Sequence, residues 1–230
     1  MVIKKLAPLA PLGPRRRAVS VDMKAQRRDE ILAAALRLLE RQPYETITMS
    51  AVAAAAGVAK GTTYLYFPTR EALFLTLLGE HYQRWFDALD ARCALPVRGA
   101  HEWAGWAARE LAARPLFLRL VAVLHTVLET NVPVAEVLAF KRALAERVER
   151  SGAALEQSLG LPGGDGARLL LWLQAVVPGL AQMAAPPAPL HAALRSDAAL
   201  SGFLIDFTTE LQALLATVVR GMQGAMESSP

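Results

Sequence analysis

Residues 48–67, T-M-S-A-V-A-A-A-A-G-V-A-K-G-T-T-Y-L-Y-F, restrict the fold more tightly than any other stretch of this chain. Thr48 stands where a hydroxyl can cap a helix by accepting from an amide one turn on. Val52, Ala53 and Ala56 then share one helix face, and the small Ala53 lets a second helix cross at close range. Gly57 falls where the turn needs a left-handed residue, a conformation that only glycine adopts cheaply. Val58 follows as the buried pivot, and a second helix is expected over residues 60–67. An alanine-rich stretch with one glycine also describes two ordinary packed helices, so the second half decides. A short helix carrying Lys60, two threonines and two tyrosines around few apolar positions makes a poor core helix. It makes a good reading helix, whose exposed N-terminal end meets base edges and phosphates in the DNA major groove.

The segment 56–74, A-G-V-A-K-G-T-T-Y-L-Y-F-P-T-R-E-A-L-F, resembles the DNA-binding domain of TetR-family transcriptional regulators, and the likeness extends over about residues 24–74. The resemblance implies phosphate contacts from Thr48, Tyr64 and Tyr66, and base-edge or phosphate contacts from Lys60, Gly61, Thr62 and Thr63. It also implies a phosphate clamp from Arg70, where the family usually carries lysine. Two positions depart from the family pattern. Ala59 replaces the usual serine cap, at a cost of about 1 kcal/mol in capping. Thr63 stands where an apolar side chain normally packs inward, which sets a structural role against its DNA contact. Pro68 ends the reading helix and Thr69 caps the next.

Charge follows the same division. Residues 1–70 hold 12 Lys and Arg against 5 Asp and Glu, whereas residues 71–230 hold 13 against 16, so the basic third is the one with the motif. The opening M-V-I-K-K-L-A-P-L-A-P-L-G-P-R-R-R is broken by prolines and has no continuous apolar core, which argues against a secretory signal. Residues 1–21 read as a flexible basic tail, with Arg15, Arg16 and Arg17 either solvated or reaching an adjacent minor groove. The charge-free stretch 169–189 contains Gln174, Pro178, Gly179 and Gln182, so no membrane span is expected. Cys93 is the single cysteine, which rules out an internal disulfide and fits a cytoplasmic protein.

The rest of the chain reads as all-α, with no period-two alternation. A three-helix DNA-binding domain is expected over residues 22–69, its first helix running over 23–41 and burying Ile31, Leu32, Ala35, Leu38 and Leu39. A larger effector-binding and dimerisation domain is expected over 70–230. Its helices are placed at 70–92, 100–113, 115–130, 133–159, 166–184 and 198–221.

Two apolar stripes suggest a homodimer. Leu204, Phe207, Leu211, Leu214 and Val218 recur at spacings of three and four, as do Leu169, Leu173, Val176 and Leu180. Either stripe could instead face its own core. An apolar fraction of 53% favours a partner, and a two-fold dimer reads a palindrome with two short helices where one reads too little. Trp103, Trp106, Phe117, Phe140 and Trp172 offer aromatic walls for a sensor pocket, with His125 and Glu129 on one helix face as polar anchors. A histidine satisfied in the core beside a surface glutamate is the plainer account of that pair. His81, His101, His125 and His191 show no metal-ligand spacing, and no phosphate loop, nucleophile elbow or C-x-x-C motif implies a cofactor or catalysis. The expected function is a transcriptional repressor released from its operator by a small hydrophobic or amphipathic effector. An architectural or partner-controlled DNA-binding module without a sensor is the alternative.

Overall fold

The computed structural model describes residues 14–124 and 131–227, and the side chains of residues 22–124 and 131–224. Two compact units divide the chain, Met1–Pro68 and Thr69–Pro230. Every regular element among the described residues is helical.

In the first unit, α1 (Pro14–Arg41) starts well before the expected position 23. The proline-fixed dihedral at Pro14 suits a first helical turn, and no glycine or proline interrupts the sequence until Pro43. The flexible tail expected to residue 21 is therefore corrected: Arg15, Arg16 and Arg17 belong to helical backbone, and only residues 1–13 lie outside the described ones. A 3₁₀ turn (Tyr44–Thr46) leads into α2 (Met49–Ala55) and α3 (Lys60–Tyr66). The core gathers Ile31, Leu32, Ala35 and Leu39 of α1 with Ile47, Val52, Ala53 and Phe67, all buried. Leu38, expected among them, is only half-buried. Each large aliphatic side chain removed from water in this way contributes about 1.5–3 kcal/mol. Arg37 donates to the Ala55 carbonyl at 3.2 Å, which satisfies an orphan acceptor at the end of α2.

The second unit opens with α4 (Arg70–Cys93), capped by Thr69 Oγ1, which accepts from the Ala72 amide at 3.0 Å. It continues through α5 (Ala100–Ala112), α6 (Pro115–Val123), α7 (Val134–Leu159) and α8 (Asp165–Ala184). α7 packs against α4 and α8, and α10 (Phe207–Glu227) packs against α5 and α8. At the crossing of α7 and α8 two glycines replace side chains. A Cβ on Gly166 would lie 2.0 Å from the Gly152 carbonyl oxygen, so backbone touches backbone there. The α8 N-terminus is tied to α7 by Glu156, whose Oε1 accepts from the amides of Gly164 (2.8 Å) and Gly166 (3.1 Å). By length and hydropathy α8 could cross a bilayer, but Leu169, Leu170, Leu173 and Val177 are buried against neighbouring helices.

The expected last helix over 198–221 is corrected. The chain forms α9 (Ala188–Ser196), a 3₁₀ segment (Ala198–Phe203) and then α10. Asp197 accepts from the Ala199 amide and Asp206 from the Thr209 amide, both at 2.8 Å. These caps start new elements where one continuous helix was expected. Leu204 consequently lies outside α10, and the α6 residues expected over 125–130, His125 and Glu129 among them, lie outside the described residues.

Candidate nucleic-acid interface and effector cavity

The turn between α2 and α3 is built as the sequence requires. Thr48 Oγ1 accepts from the Ala51 amide at 3.1 Å. Gly57 adopts φ +66°, its amide donates to the Ala54 carbonyl at 3.2 Å, and the Val58 amide donates to the Ala53 carbonyl at 3.0 Å. That pair of reversed hydrogen bonds closes α2 and turns the chain into α3. Val58 is half-buried. Ala59 makes no side-chain cap, leaving the α3 amides without the hydroxyl the family usually supplies.

On α3 the side chains divide by face. Lys60, Gly61 and Tyr64 are exposed, Thr62 and Tyr66 half-buried, and Thr48 is exposed at the start of α2. Thr63 is 0% exposed, and its Oγ1 donates to the Lys60 carbonyl at 2.7 Å, so its expected DNA contact is corrected to a structural role. Leu65, which sequence reasoning passed over, is 80% exposed. An apolar side chain on a reading helix suits the methyl group of thymine. Its position one residue after Tyr64 on a seven-residue helix was the available signal. Arg70, at the start of the second unit, donates from Nε and Nη2 to Glu71 Oε1 at 3.1 and 2.9 Å. Its charge already has a carboxylate partner, so a phosphate would have to compete for it.

In the second unit an aromatic cavity lies between α4 and the helices around it. α4 supplies Tyr82, Trp85 and Phe86, while α5 and α6 supply Leu111, Phe117 and Val121. α7 adds Leu144 and Val148, and α8 adds Leu170, Leu173, Gln174 and Val177. The open space among these side chains is about 30 Å³. Phe117 meets Tyr82 edge-on at 4.9 Å between ring centroids, and His81 stacks with Phe117 at 6.3 Å and 6°. Gln174 Nε2 donates to Tyr82 Oη at 2.8 Å. Burial, then the charges of Arg84 and Arg114, push the His81 imidazolium down to about 4, so this ring is neutral near pH 7.

Among the described residues expected to form a sensor pocket, Phe117 alone lines this cavity. Phe140 lines an adjoining recess with Gly79 and Arg147. Trp103 is fully buried in the helical core, and Trp106 is half-buried, neither lining the cavity. Trp172 is corrected to the outer side of α8, where it is 47% exposed and borders a gap with Leu169, Leu173, Val176, Leu214, Leu215 and Val218. That gap gathers most of the residues expected at a dimer interface. Leu169, Leu173 and Leu211 are buried within their own chain, and Val176, Leu180, Phe207 and Val218 are half-buried. Leu171 and Leu214 face outward. Tyr82, Trp85 and Phe86, missed as cavity walls, were legible as the start of the 82, 85, 86, 89 stripe along α4.

No cluster of three metal-ligating side chains occurs among the described residues.

Comparison with known proteins agrees with this geometry. The family profile described as bacterial regulatory proteins, tetR family, matches residues 31–77. The profile of the tetracyclin repressor-like C-terminal domain matches residues 79–225. The HTH-type transcriptional repressor KstR of Mycolicibacterium smegmatis is 43% identical over 70 residues, 30% of this chain and 34% of its own length. The HTH-type transcriptional regulator EthR of Mycobacterium tuberculosis is 48% identical over 48 residues, 21% of this chain and 22% of its own. The matched stretch thus spans about a third or less of these relatives. The fatty acid degradation regulator FadR from Bacillus halodurans superposes with a TM-score of 0.53 at 19% identity, covering 87% of this chain and 96% of that one. A TetR transcriptional regulator from Rhodococcus sp. RHA1 does so with a TM-score of 0.53 at 19% identity, over 91% and 99%. These two likenesses are of fold. With both profiles matched in order along the chain, the protein belongs to the TetR family of bacterial regulatory proteins.

Proposed function

We propose that the protein is a homodimeric repressor that binds a palindromic operator and leaves it when a small hydrophobic or amphipathic effector fills the aromatic cavity. The observation that carries this reading is the exposed face of α3, with Lys60, Gly61 and Tyr64 presented on the basic part of the chain. Thr48, Tyr64 and Tyr66 would hold phosphates, and Lys60, Gly61 and Thr62 would meet base edges or phosphates. Arg70 would join them only by giving up Glu71. KstR, 43% identical over 70 residues, is a repressor, which supports the direction of control.

Two copies joined through α8 and α10 would place two reading helices in successive major grooves, about 34 Å apart. An effector that binds better to a dimer whose helices miss that spacing weakens DNA binding, and DNA weakens effector binding by the same factor. α4 is the element that both lines the cavity and follows α3 in the chain, so it is the candidate transmitter. The site of action is the cytoplasm, where Cys93 stays a thiol: burial and the charge of Asp90 push it up to about 11.

Selection of bound sequences from a random DNA pool, at a fixed salt concentration because phosphate contacts are salt-dependent, tests the reading. Enrichment of a palindrome supports it. Salt-sensitive binding with no enriched sequence would instead mark an architectural binder and sink the operator.

A further inference from the structure

The cavity wall contains a hydrogen-bond donor with nothing to donate to. Trp85 is only 5% exposed, it lines the cavity, and its Nε1 has no partner. An indole N–H can only donate, and a buried donor left unmade is a standing cost that a suitable acceptor removes. Trp103 also has an unpartnered Nε1, but its side chain is fully buried and does not line this cavity. The other polar groups on the wall are Tyr82 Oη and the Gln174 amide, already bonded to each other at 2.8 Å.

Equally informative is the charge around the cavity. Among the described residues no Lys, Arg, Asp or Glu lines it. The adjoining recess does hold Arg147, but that guanidinium lies 2.9 Å from Asp87 and 3.2 Å from Asp90, and 5.3 Å above the Phe86 ring. Two carboxylates already answer its charge. His81, stacked on Phe117, is neutral near pH 7 and supplies no cation. An anionic or cationic group brought into this wall would lose its hydration with no opposite charge to replace it.

We infer that the cavity selects an uncharged, mostly hydrocarbon ligand with one carbonyl oxygen, which accepts a hydrogen bond from Trp85 Nε1. The inference rests on reading the cavity as the effector site, and it adds the chemistry that site discriminates. Hydrocarbon bulk would part Phe86, Phe117 and Val177, since the open space among them is about 30 Å³, and the carbonyl sets the orientation. A ligand of the same shape without the oxygen leaves the indole unsatisfied, and one with a carboxylate in its place is rejected.

The test uses the full chain and three probes of one shape: 2-acetylnaphthalene, 2-ethylnaphthalene and 2-naphthoate. Calorimetric titration of each is paired with the ¹H–¹⁵N spectrum of the indole groups, in which the Trp85→Phe variant assigns the Trp85 resonance. The expected result is binding of the ketone about tenfold tighter than the hydrocarbon, and no detectable binding of the naphthoate. The ketone, and not the hydrocarbon, should move the Trp85 indole proton downfield. In Trp85→Phe the two neutral probes should bind equally. Equal binding of ketone and hydrocarbon to the wild type, or a ketone advantage that survives Trp85→Phe, overturns the inference while leaving the cavity as a hydrophobic site. Naphthoate binding as tightly as the ketone overturns its neutrality. Failure of both neutral probes to bind the wild type overturns the cavity reading itself. Should the variant not fold, a ketone that binds the wild type without moving any indole proton downfield overturns the inference on its own.

Discussion

Thr63 and Leu65 are two residues apart on α3 and exchange the roles their chemistry suggests, with the hydroxyl buried and the aliphatic chain in solvent. DNA-binding assays separate them. Thr63→Val keeps the shape but loses the 2.7 Å bond to the Lys60 carbonyl, so folding stability should fall by about 1 kcal/mol with operator affinity unchanged in the folded fraction. Leu65→Ala should leave stability unchanged and relax preference at one base pair by about 1 kcal/mol, while Lys60→Ala should weaken all sequences alike and reduce the salt slope by about 1. If Thr63→Val behaves as Lys60→Ala does, the face assignment of α3 is wrong. His81 gives a second residue-scale expectation. Its folded value is depressed to about 4 from 6.5, so between those values the unfolded chain takes a proton that the folded chain refuses. Stability should therefore drop as pH falls from about 6.5 toward 4, with no contribution from this group above that window. His81→Phe, which can keep the stack on Phe117, should flatten that part of a plot of urea midpoint against pH, and an unchanged slope would reject the assignment. What the sequence discloses at this scale depends on backbone constraint. Thr48, Gly57 and Pro68 were legible because a cap, a left-handed turn and a helix stop each admit few residue types. The tryptophans were not, because aromatic bulk serves the core, the cavity and the outer face equally well: Trp103, Trp85 and Trp172 occupy one each.

Among the elements, the α7–α8 hairpin depends on an absence of side chains. Gly166→Ala would place a methyl group 2.0 Å from the Gly152 oxygen, and because the obstacle is backbone the helices must part. A loss of about 3 kcal/mol is expected, at the upper end of ordinary overpacking, measured as a lower urea midpoint. Retention of wild-type stability would mean that the two helices cross less closely than described. Since α8 also supplies four cavity residues, the same variant should loosen effector binding. Helix boundaries were legible at Pro115, Pro133 and Gly160, where a proline or glycine marks them. They were misjudged where only a side-chain cap does so: Asp197 and Asp206 break what periodicity alone reads as one helix. At the other end, composition rich in arginine and proline suggests a tail, yet α1 reaches back to Pro14 because residues 15–42 contain no glycine or proline to stop a helix.

For the molecule as a whole, the question is what covers the outer side of α8 and α10. Leu171 is 55% exposed, Trp172 47% and Leu214 36%, beside a gap walled by Leu169, Val176 and Val218. A single chain leaves this apolar face in water, and a chain whose mean hydropathy is +0.27 has little polar surface to spare elsewhere. The buried halves of the same stripes, Leu173 and Leu211, hold each subunit together, so the face is formed before any partner arrives. The double variant Trp172→Asp with Leu214→Asp should therefore fold, keeping its helical circular dichroism, while sedimenting as a monomer at micromolar concentration. Its affinity for a palindromic site should fall by at least about 100-fold, because the second half-site is no longer bound at the effective concentration the dimer provides. Affinity for an isolated half-site should stay the same, since no α3 residue is altered. Were the variant to remain dimeric with full palindrome affinity, the stripe would be surface only, and the two-fold reading of the operator would need another interface.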